Sequence, residues 1–156
     1  AALQAIPIAG RFVLDVGTGS GILALAAKEL GARAALGIDC DADAIQSARE
    51  NLPLNPTLDQ VTFAVAALGV TALPVADVVV ANLTGALLVR SAAVLQGLTT
   101  AGGHLIVSGL LDLERDDVCD AFLDLDLAWE QRENEWIGLC FKKSDRPTGT
   151  VGATGP

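Results

Sequence analysis

"VLDVGTGSGIL", residues 13–23, sets three glycines within five positions directly behind an apolar run. Residues 11–16 (RFVLDV) read as a buried strand. Residues 20–30 (SGILALAAKEL) carry Ile22, Leu23, Ala26, Ala27 and Leu30 at helical spacing, and Gly31 supplies the stop beyond the helix. The unit is therefore strand, glycine turn, helix. Gly17, Gly19 and Gly21 allow a sharp turn, let a ligand approach the backbone without meeting a Cβ, and aim the first N–H groups of the helix at it.

The alternation continues down the chain. Residues 34–39 (AALGID) form a second short strand. Asp41 then caps a helix with Ile45, Ala48 and Leu52 on one face, ended by Pro53. Residues 61–65 (VTFAV) and 76–82 (ADVVVAN) are the third and fourth strands, and the β-branched run of the fourth suits burial on both faces. A helix over 85–98 leads across Gly102 and Gly103 into a fifth strand, 104–109 (HLIVSG). An acid-rich helix, 112–123, follows, with Leu113, Val118, Ala121 and Phe122 inward. The pattern then changes, because LAWEQRE (127–133) and WIGLCFKK (136–143) are separated only by a turn near Asn134, as in a hairpin. The expected fold is α/β: a seven-stranded, mostly parallel sheet with an antiparallel C-terminal hairpin and helices on both faces.

Composition narrows the classes. With 156 residues, 51% of them apolar, the chain suits one globular domain. Its apolar runs are too short to span a bilayer and no leader opens it, so a cytoplasmic protein is expected. A net charge of −9 with ten scattered basic residues argues against a phosphate backbone as partner. Cys40, Cys119 and Cys140 are widely spaced and odd in number, so reduced thiols are expected, with neither a disulfide framework nor a metal cluster. The absence of methionine and the unsignalled opening AALQAI suggest a piece of a longer protein. The Gly/Thr/Pro-rich stretch 144–156 reads as a disordered tail.

In an open parallel sheet, ligands sit beyond the carboxyl ends of the strands where strand order reverses. Asp15 to Gly17, Asp39 and Asn82 end three of the strands and should share one rim. Asp39, 22 positions beyond Gly17, can accept hydrogen bonds from both hydroxyls of a ribose. A dinucleotide fingerprint would need glycine at 22, where this chain has Ile22, which weakens the pyrophosphate reading. The run Asp15, Val16, Gly17, Thr18, Gly19, Ser20, Gly21 instead resembles motif I of the class I S-adenosylmethionine (SAM) methyltransferases, whose final strand pair the C-terminal hairpin also resembles.

A narrower resemblance rests on VADVVVANLTGALL (75–88), GILALAAKELGA (21–32), GIDCDADAIQSARENL (37–52) and EWIGLCFKK (135–143). These are similar to segments of the ribosomal protein L-eleven methyltransferases, the PrmA family, over roughly residues 3–143. The resemblance implies a catalytic domain over 1–143, methyl transfer from SAM to amino groups of a ribosomal protein, and SAM contacts from Gly17, Asp39 and Asn82. It also implies an upstream substrate-recruiting domain and a Gly/Thr/His segment that this sequence does not contain. The expected cofactor-contacting set is Asp15, Gly17, Thr18, Gly19, Gly21, Asp39, Cys40, Ala67, Leu68 and Asn82. Asn82 is the expected catalytic residue, and no metal is expected. The partner is a protein substrate, with no nucleic acid and no membrane, and a monomer is expected.

Neighbouring families differ at the same positions. Glutamine and nucleobase N-methyltransferases carry Asn-Pro-Pro-aromatic after the fourth strand, where this chain has Asn82, Leu83, Thr84, Gly85. Nothing in 82–90 supplies the glutamate pair of the arginine methyltransferases, and AVAAL (64–68) offers the adenine only backbone groups and an apolar wall. Methyl transfer asks the protein to align a neutral amine and exclude water, and Asn82 is the candidate for orienting the amine or the methionyl end. Two readings stand for several residues. Asp15 bonds its own loop or contacts the methionyl amine indirectly, and Asn82 orients a ligand or caps the next helix. Cys40 borders the adenosine or is a small buried hydrophobe, His104 is structural or exposed, and Trp129 and Trp136 pack the hairpin rather than clamp a substrate. The acids of 112–126 read as a solvated face. A SAM-dependent enzyme acting on a small metabolite and a non-catalytic SAM-binding module remain the alternatives.

Overall fold

The computed structural model describes residues 2–145, so all but Ser144 and Asp145 of the expected tail lie outside the described residues. Seven strands form one sheet in the order β3-β2-β1-β4-β5-β7-β6, where β1 is Phe12–Val16, β2 Ala34–Asp39, β3 Val61–Val65, β4 Ala76–Asn82, β5 Thr99–Leu111, β6 Asp126–Glu133 and β7 Trp136–Lys142. β1 through β5 pair in parallel, and β7 inserts antiparallel between β5 and β6. From β1 the chain winds outward through β2 to β3, then returns to β4 on the other side. The strand order therefore reverses between β1 and β4, and the crevice for a ligand opens there.

Alternation along the strands explains the two cores. On β4, Val79 and Ala81 face one side with Leu14, Leu105 and Val107; Leu88, Leu95, Val118 and Phe122 of the helical layer cover them. Val78 and Val80 face the other side with Val13 and Ile106, beneath Ala24, Ala27, Ile45 and Ala48. Helices α1 (Ile22–Glu29) and α2 (Ala42–Asn51) thus cover one face, while α3 (Gly85–Leu98) and α4 (Arg115–Ala121) cover the other. Val78 to Ala81 are buried on both faces of the sheet, which is why the centre of β4 reads as a continuous apolar run.

Three expectations change. α1 begins at Ile22, behind Gly21 as its left-handed cap, and its inward stripe is Ala24, Leu25 and Ala27. Ile22 lies about 200° around the helix from Ala24, and with Leu30 it is exposed. Leu113 is 82% exposed because the chain leaves β5 through a 3-10 turn, Asp112–Glu114, before α4 begins. The fifth strand starts at Thr99 rather than 104. Gly102 and Gly103 belong to it, since the Gly102 N–H donates to the Lys143 carbonyl and the Lys143 N–H to the Gly103 carbonyl.

The remaining elements form as their residues dictate. Asp41 caps α2 by accepting from the Asp43 N–H at 2.9 Å, and Pro53 turns the chain into a 3-10 segment after it. Asn134 takes φ 54° at the β6–β7 turn, a left-handed conformation that asparagine tolerates. Among the described residues, no helix is long and apolar enough to cross a membrane.

Candidate active site

β1, β2 and β4 bring Asp15, Asp39 and Asn82 to one edge of the sheet, as their positions at the strand ends require. The loop from Gly17 to Gly21 rises from β1 between them. Gly17, Gly19 and Gly21 all have positive φ, so the loop depends on residues without a Cβ.

The three glycines serve different ends. A Cβ on Gly19 would meet nothing within 4 Å, so this is where the loop leaves its backbone open to a ligand. A Cβ on Gly21 would stand 2.6 Å from the Phe63 ring, and one on Gly17 2.8 Å from Leu83 Cδ2. Gly21 therefore lets α1 seat against β3, and its N–H donates to the Thr18 carbonyl. Thr18 is buried: its N–H donates to the Ile38 carbonyl and its hydroxyl to Asp15.

Two carboxylates flank this loop. Asp39 Oδ2 accepts from the Gly19 N–H at 3.1 Å and Oδ1 from the Asp41 N–H at 3.0 Å, so the acid holds the loop and the start of α2 at the tip of β2. Asp15 is fully buried. Its Oδ2 accepts from Thr18 Oγ1 at 2.6 Å and from the Ala24 N–H at 3.2 Å, while Oδ1 has no partner. Burial pushes the Asp15 carboxyl up to about 6, opposed by the Thr18 and Ala24 hydrogen bonds and reinforced by the Asp39 charge. Paired acids repel phosphates and favour a ligand that brings positive charge beside its hydroxyls.

Asn82 stands exposed at the end of β4. Of the two readings for it, the helix cap falls instead at Thr84, without a side-chain hydrogen bond, and the Asn82 carboxamide turns to β5, where Ser108 Oγ donates to Oδ1 at 3.3 Å. Beside it opens a cleft of about 680 Å³ whose apolar floor includes Val80, Ile106 and Ile137. Thr84, Ser108, Glu133 and Trp136 stand around it. The cleft lies next to the glycine loop rather than over it, and the two meet at Leu83, which lines the cleft and packs on Gly17.

Other expected residues are placed as follows. Cys40 is exposed just beyond β2, not buried, because the chain has left the sheet there. Ala67 and Leu68 follow β3 and are half-buried. The Ala67 N–H donates to Thr71 Oγ1 at 3.2 Å, and Leu68 packs on the core. His104 lies four residues before Ser108 on β5, away from the rim. Its Nδ1 is 3.0 Å from Arg11 Nη1, and burial with the Arg11 and Lys142 charges holds its pKa below the ordinary value. Trp129 and Trp136 both line the cleft; Trp129 is half-buried and packs on the core, as expected of it, whereas Trp136 is 50% exposed. The acids are only partly a solvated face, since Asp112 pairs with Arg132 at 3.1 Å and Glu114 accepts from the Leu111 N–H.

Leu83, Ser108 and Gly109 were not singled out from the sequence. One signal was available: in LIVSG (105–109) a glycine follows a buried apolar run with only Ser108 between them.

A glycine loop between β1 and α1, an acid ending β2 and an antiparallel β7 inserted beside β5 define the Rossmann-like methyltransferase fold. An RNA methyltransferase from Salinibacter ruber, solved in complex with S-adenosyl-L-homocysteine, shares it at 15% identity. The match has a TM-score of 0.76 and covers 96% of this chain and 92% of that one. A ribosomal protein L11 methylase from Lactobacillus delbrueckii subsp. bulgaricus superposes with a TM-score of 0.85 at 28% identity, over 91% of this chain and 74% of that chain. Residues 1–144 match the family described as ribosomal protein L11 methyltransferase (PrmA), and the chain belongs to that family. The ribosomal protein L11 methyltransferase of Erwinia tasmaniensis is 41% identical over 138 residues, 88% of this chain and 47% of the relative. The chain thus spans about half the length of the curated relatives it matches.

Proposed function

We propose that residues 1–143 form the catalytic domain of a SAM-dependent protein N-methyltransferase that modifies amino groups, lysine or N-terminal, of a ribosomal protein. One observation carries the reading: Asp39 Oδ2 lies 3.1 Å from the Gly19 nitrogen, and a Cβ on Gly19 would meet nothing within 4 Å. An acceptor for paired ribose hydroxyls therefore stands beside a clear backbone approach.

The residues fit SAM rather than a dinucleotide. Asp15 and Asp39 set two acids against the loop, which suits an ammonium and a sulfonium and disfavours a pyrophosphate. Asp39 would hold the ribose and the Gly19 backbone would lie against the ligand, with Gly17 beside it. Cys40 and the Ala67–Leu68 turn would border the adenosine. The buried Asp15, with one oxygen unpartnered, would attract the ammonium from beneath the loop.

When bound, SAM supplies an electrophilic methyl on a positively charged sulfur. The chain's own part is to present the acceptor nitrogen in line and keep water away. Asn82 Oδ1, with a lone pair left beyond its bond to Ser108, can accept from an acceptor N–H and fix the nitrogen's direction. The apolar floor of the cleft disfavours an ammonium and so favours the free amine that the reaction needs. Glu133 at the margin would attract the cationic form on its way in. We further propose action on protein rather than nucleic acid, as a monomer in the cytoplasm.

Calorimetry with SAM and with NAD tests the assignment: SAM binds, Asp39→Ala abolishes binding, and NAD gives no heat. NAD binding, or no binding of either, overturns it. Transfer of labelled methyl to purified ribosomal protein L11 tests the acceptor, and label appearing only on small metabolites would replace this reading with the alternative.

A further inference from the structure

We propose that Ser108 and Gly109, the two residues of a bulge in β5, are positioning residues that set the orientation of the Asn82 carboxamide at the margin of the cleft. The proposal rests on the reading of Asn82 as the residue that orients the acceptor nitrogen.

β5 and β7 pair regularly up to Val107, which lies opposite Leu139, and again from Leu110, which lies opposite Ile137. Between them Ser108 and Gly109 together oppose the single residue Gly138, which is the arithmetic of a β-bulge. Such an insertion re-aims the side chains of its strand. Here three contacts of the bulge converge on the end of β4.

Ser108 pairs with Asn82 across the parallel ladder, and its hydroxyl donates to Asn82 Oδ1 at 3.3 Å. Its carbonyl accepts from the Leu83 N–H at 2.9 Å, which fixes the backbone just beyond Asn82. Gly109 has φ +86°, and a Cβ there would stand 2.6 Å from Asn82 Oδ1 and 2.9 Å from the Leu83 carbonyl oxygen. The amide oxygen is thus held on one side by a hydroxyl and bounded on another by bare backbone. A side chain at 109 would displace it, and a residue without a hydroxyl at 108 would leave it free to rotate.

Among the described residues the amide has one side-chain hydrogen-bond partner, Ser108, and the cap of α3 falls at Thr84 rather than at Asn82. The bulge therefore links β5, which carries no reacting group, to the one polar side chain that β4 presents to the cleft.

The side-chain amide pair of Asn82 in a proton–nitrogen NMR spectrum of the chain, identified by its loss in Asn82→Ala, reads the orientation without any ligand. Ser108→Ala and Gly109→Ala should each move that pair, and Ser108→Thr should return it close to its original position. A pair that stays put in Ser108→Ala and Gly109→Ala overturns the proposal, as does a Ser108→Thr spectrum displaced as far as that of Ser108→Ala. In methyl transfer to ribosomal protein L11, Ser108→Ala should lower kcat about ten-fold, the loss of one orienting hydrogen bond. SAM affinity should stay within about two-fold, because the bulge touches none of the ribose-binding residues. The Ser108→Ala/Asn82→Ala double variant should be no slower than Asn82→Ala. A double variant slowed by the product of the two single effects overturns positioning through Asn82. A chain that takes up no SAM overturns the proposed function, while the Asn82 resonances decide the positioning role by themselves.

Discussion

Thr18 Oγ1 donates a 2.6 Å hydrogen bond to Asp15 Oδ2, so the loop residue between two glycines turns inward and holds the acid at the end of β1. Asp15 is consequently a buried carboxyl that keeps one satisfied and one unpartnered oxygen beneath the glycine loop.

That arrangement makes stability depend on pH. The Asp15 carboxyl sits at about 6 in the fold against 3.8 for the free side chain, so the folded state binds the proton more tightly. Below about pH 4 both states are protonated and there is no cost; as pH rises through about 6, stability is lost, on the order of 3 kcal/mol in total. Urea unfolding of the wild type and of Asp15→Asn across pH 4 to about 7 should show the wild type losing stability relative to the variant. A constant difference across that range would refute it. Thr18→Val removes a hydrogen bond to the charged form and should move the same transition to higher pH.

Asp39 should separate binding from folding. Its carboxylate bonds two backbone N–H groups at the surface, so Asp39→Ala should cost about 1 kcal/mol of stability, the size of a lost capping acid. Loss of two charge-assisted hydrogen bonds to a ribose should weaken SAM about 100-fold or more. Calorimetry beside thermal unfolding measures both, and equal SAM affinity in the variant would remove Asp39 from the site.

Gly19 and Gly21 should behave differently although they stand two residues apart. Gly21→Ala puts a methyl 2.6 Å from the Phe63 ring at φ 83°, a strain and overpacking cost of about 2–4 kcal/mol. Gly19→Ala meets open space at φ 53° and should cost about 1 kcal/mol while blocking SAM. Chemical denaturation and SAM titration of the two variants check this, and equal destabilisation would show that the loop is not divided between packing and binding.

The C-terminal end of α4, capped by Phe122, offers a calibration. Phe122 is fully buried and its ring centroid lies 5.2 Å from that of Phe141. Phe122→Ala should cost about 3–5 kcal/mol, whereas Leu113→Ala, at an exposed position, should change stability by less than about 0.5 kcal/mol. Equilibrium unfolding distinguishes the two residues, which sequence periodicity alone places on one face.

The carboxyl ends of β1, β2 and β4 were legible because their chemistry is local. AALGID could be bounded residue by residue as β2, since a buried parallel strand must be apolar and stops where Asp39 reaches water. The faces of α1 and α4 were less legible. Their stripes depend on where each helix begins, and Gly21 and the 3-10 turn at Asp112–Glu114 set those starts.

What this sequence determined by itself was the order of elements and the rim on which Asp15, Asp39 and Asn82 stand, because apolar periodicity and glycine position are properties of short stretches. Tertiary structure alone decided which glycine packs and which stays open. It also set the Trp136 indole at the cleft and turned the Asn82 amide toward Ser108. Each of those depends on a distance between strands or helices far apart in the chain, which no local pattern encodes.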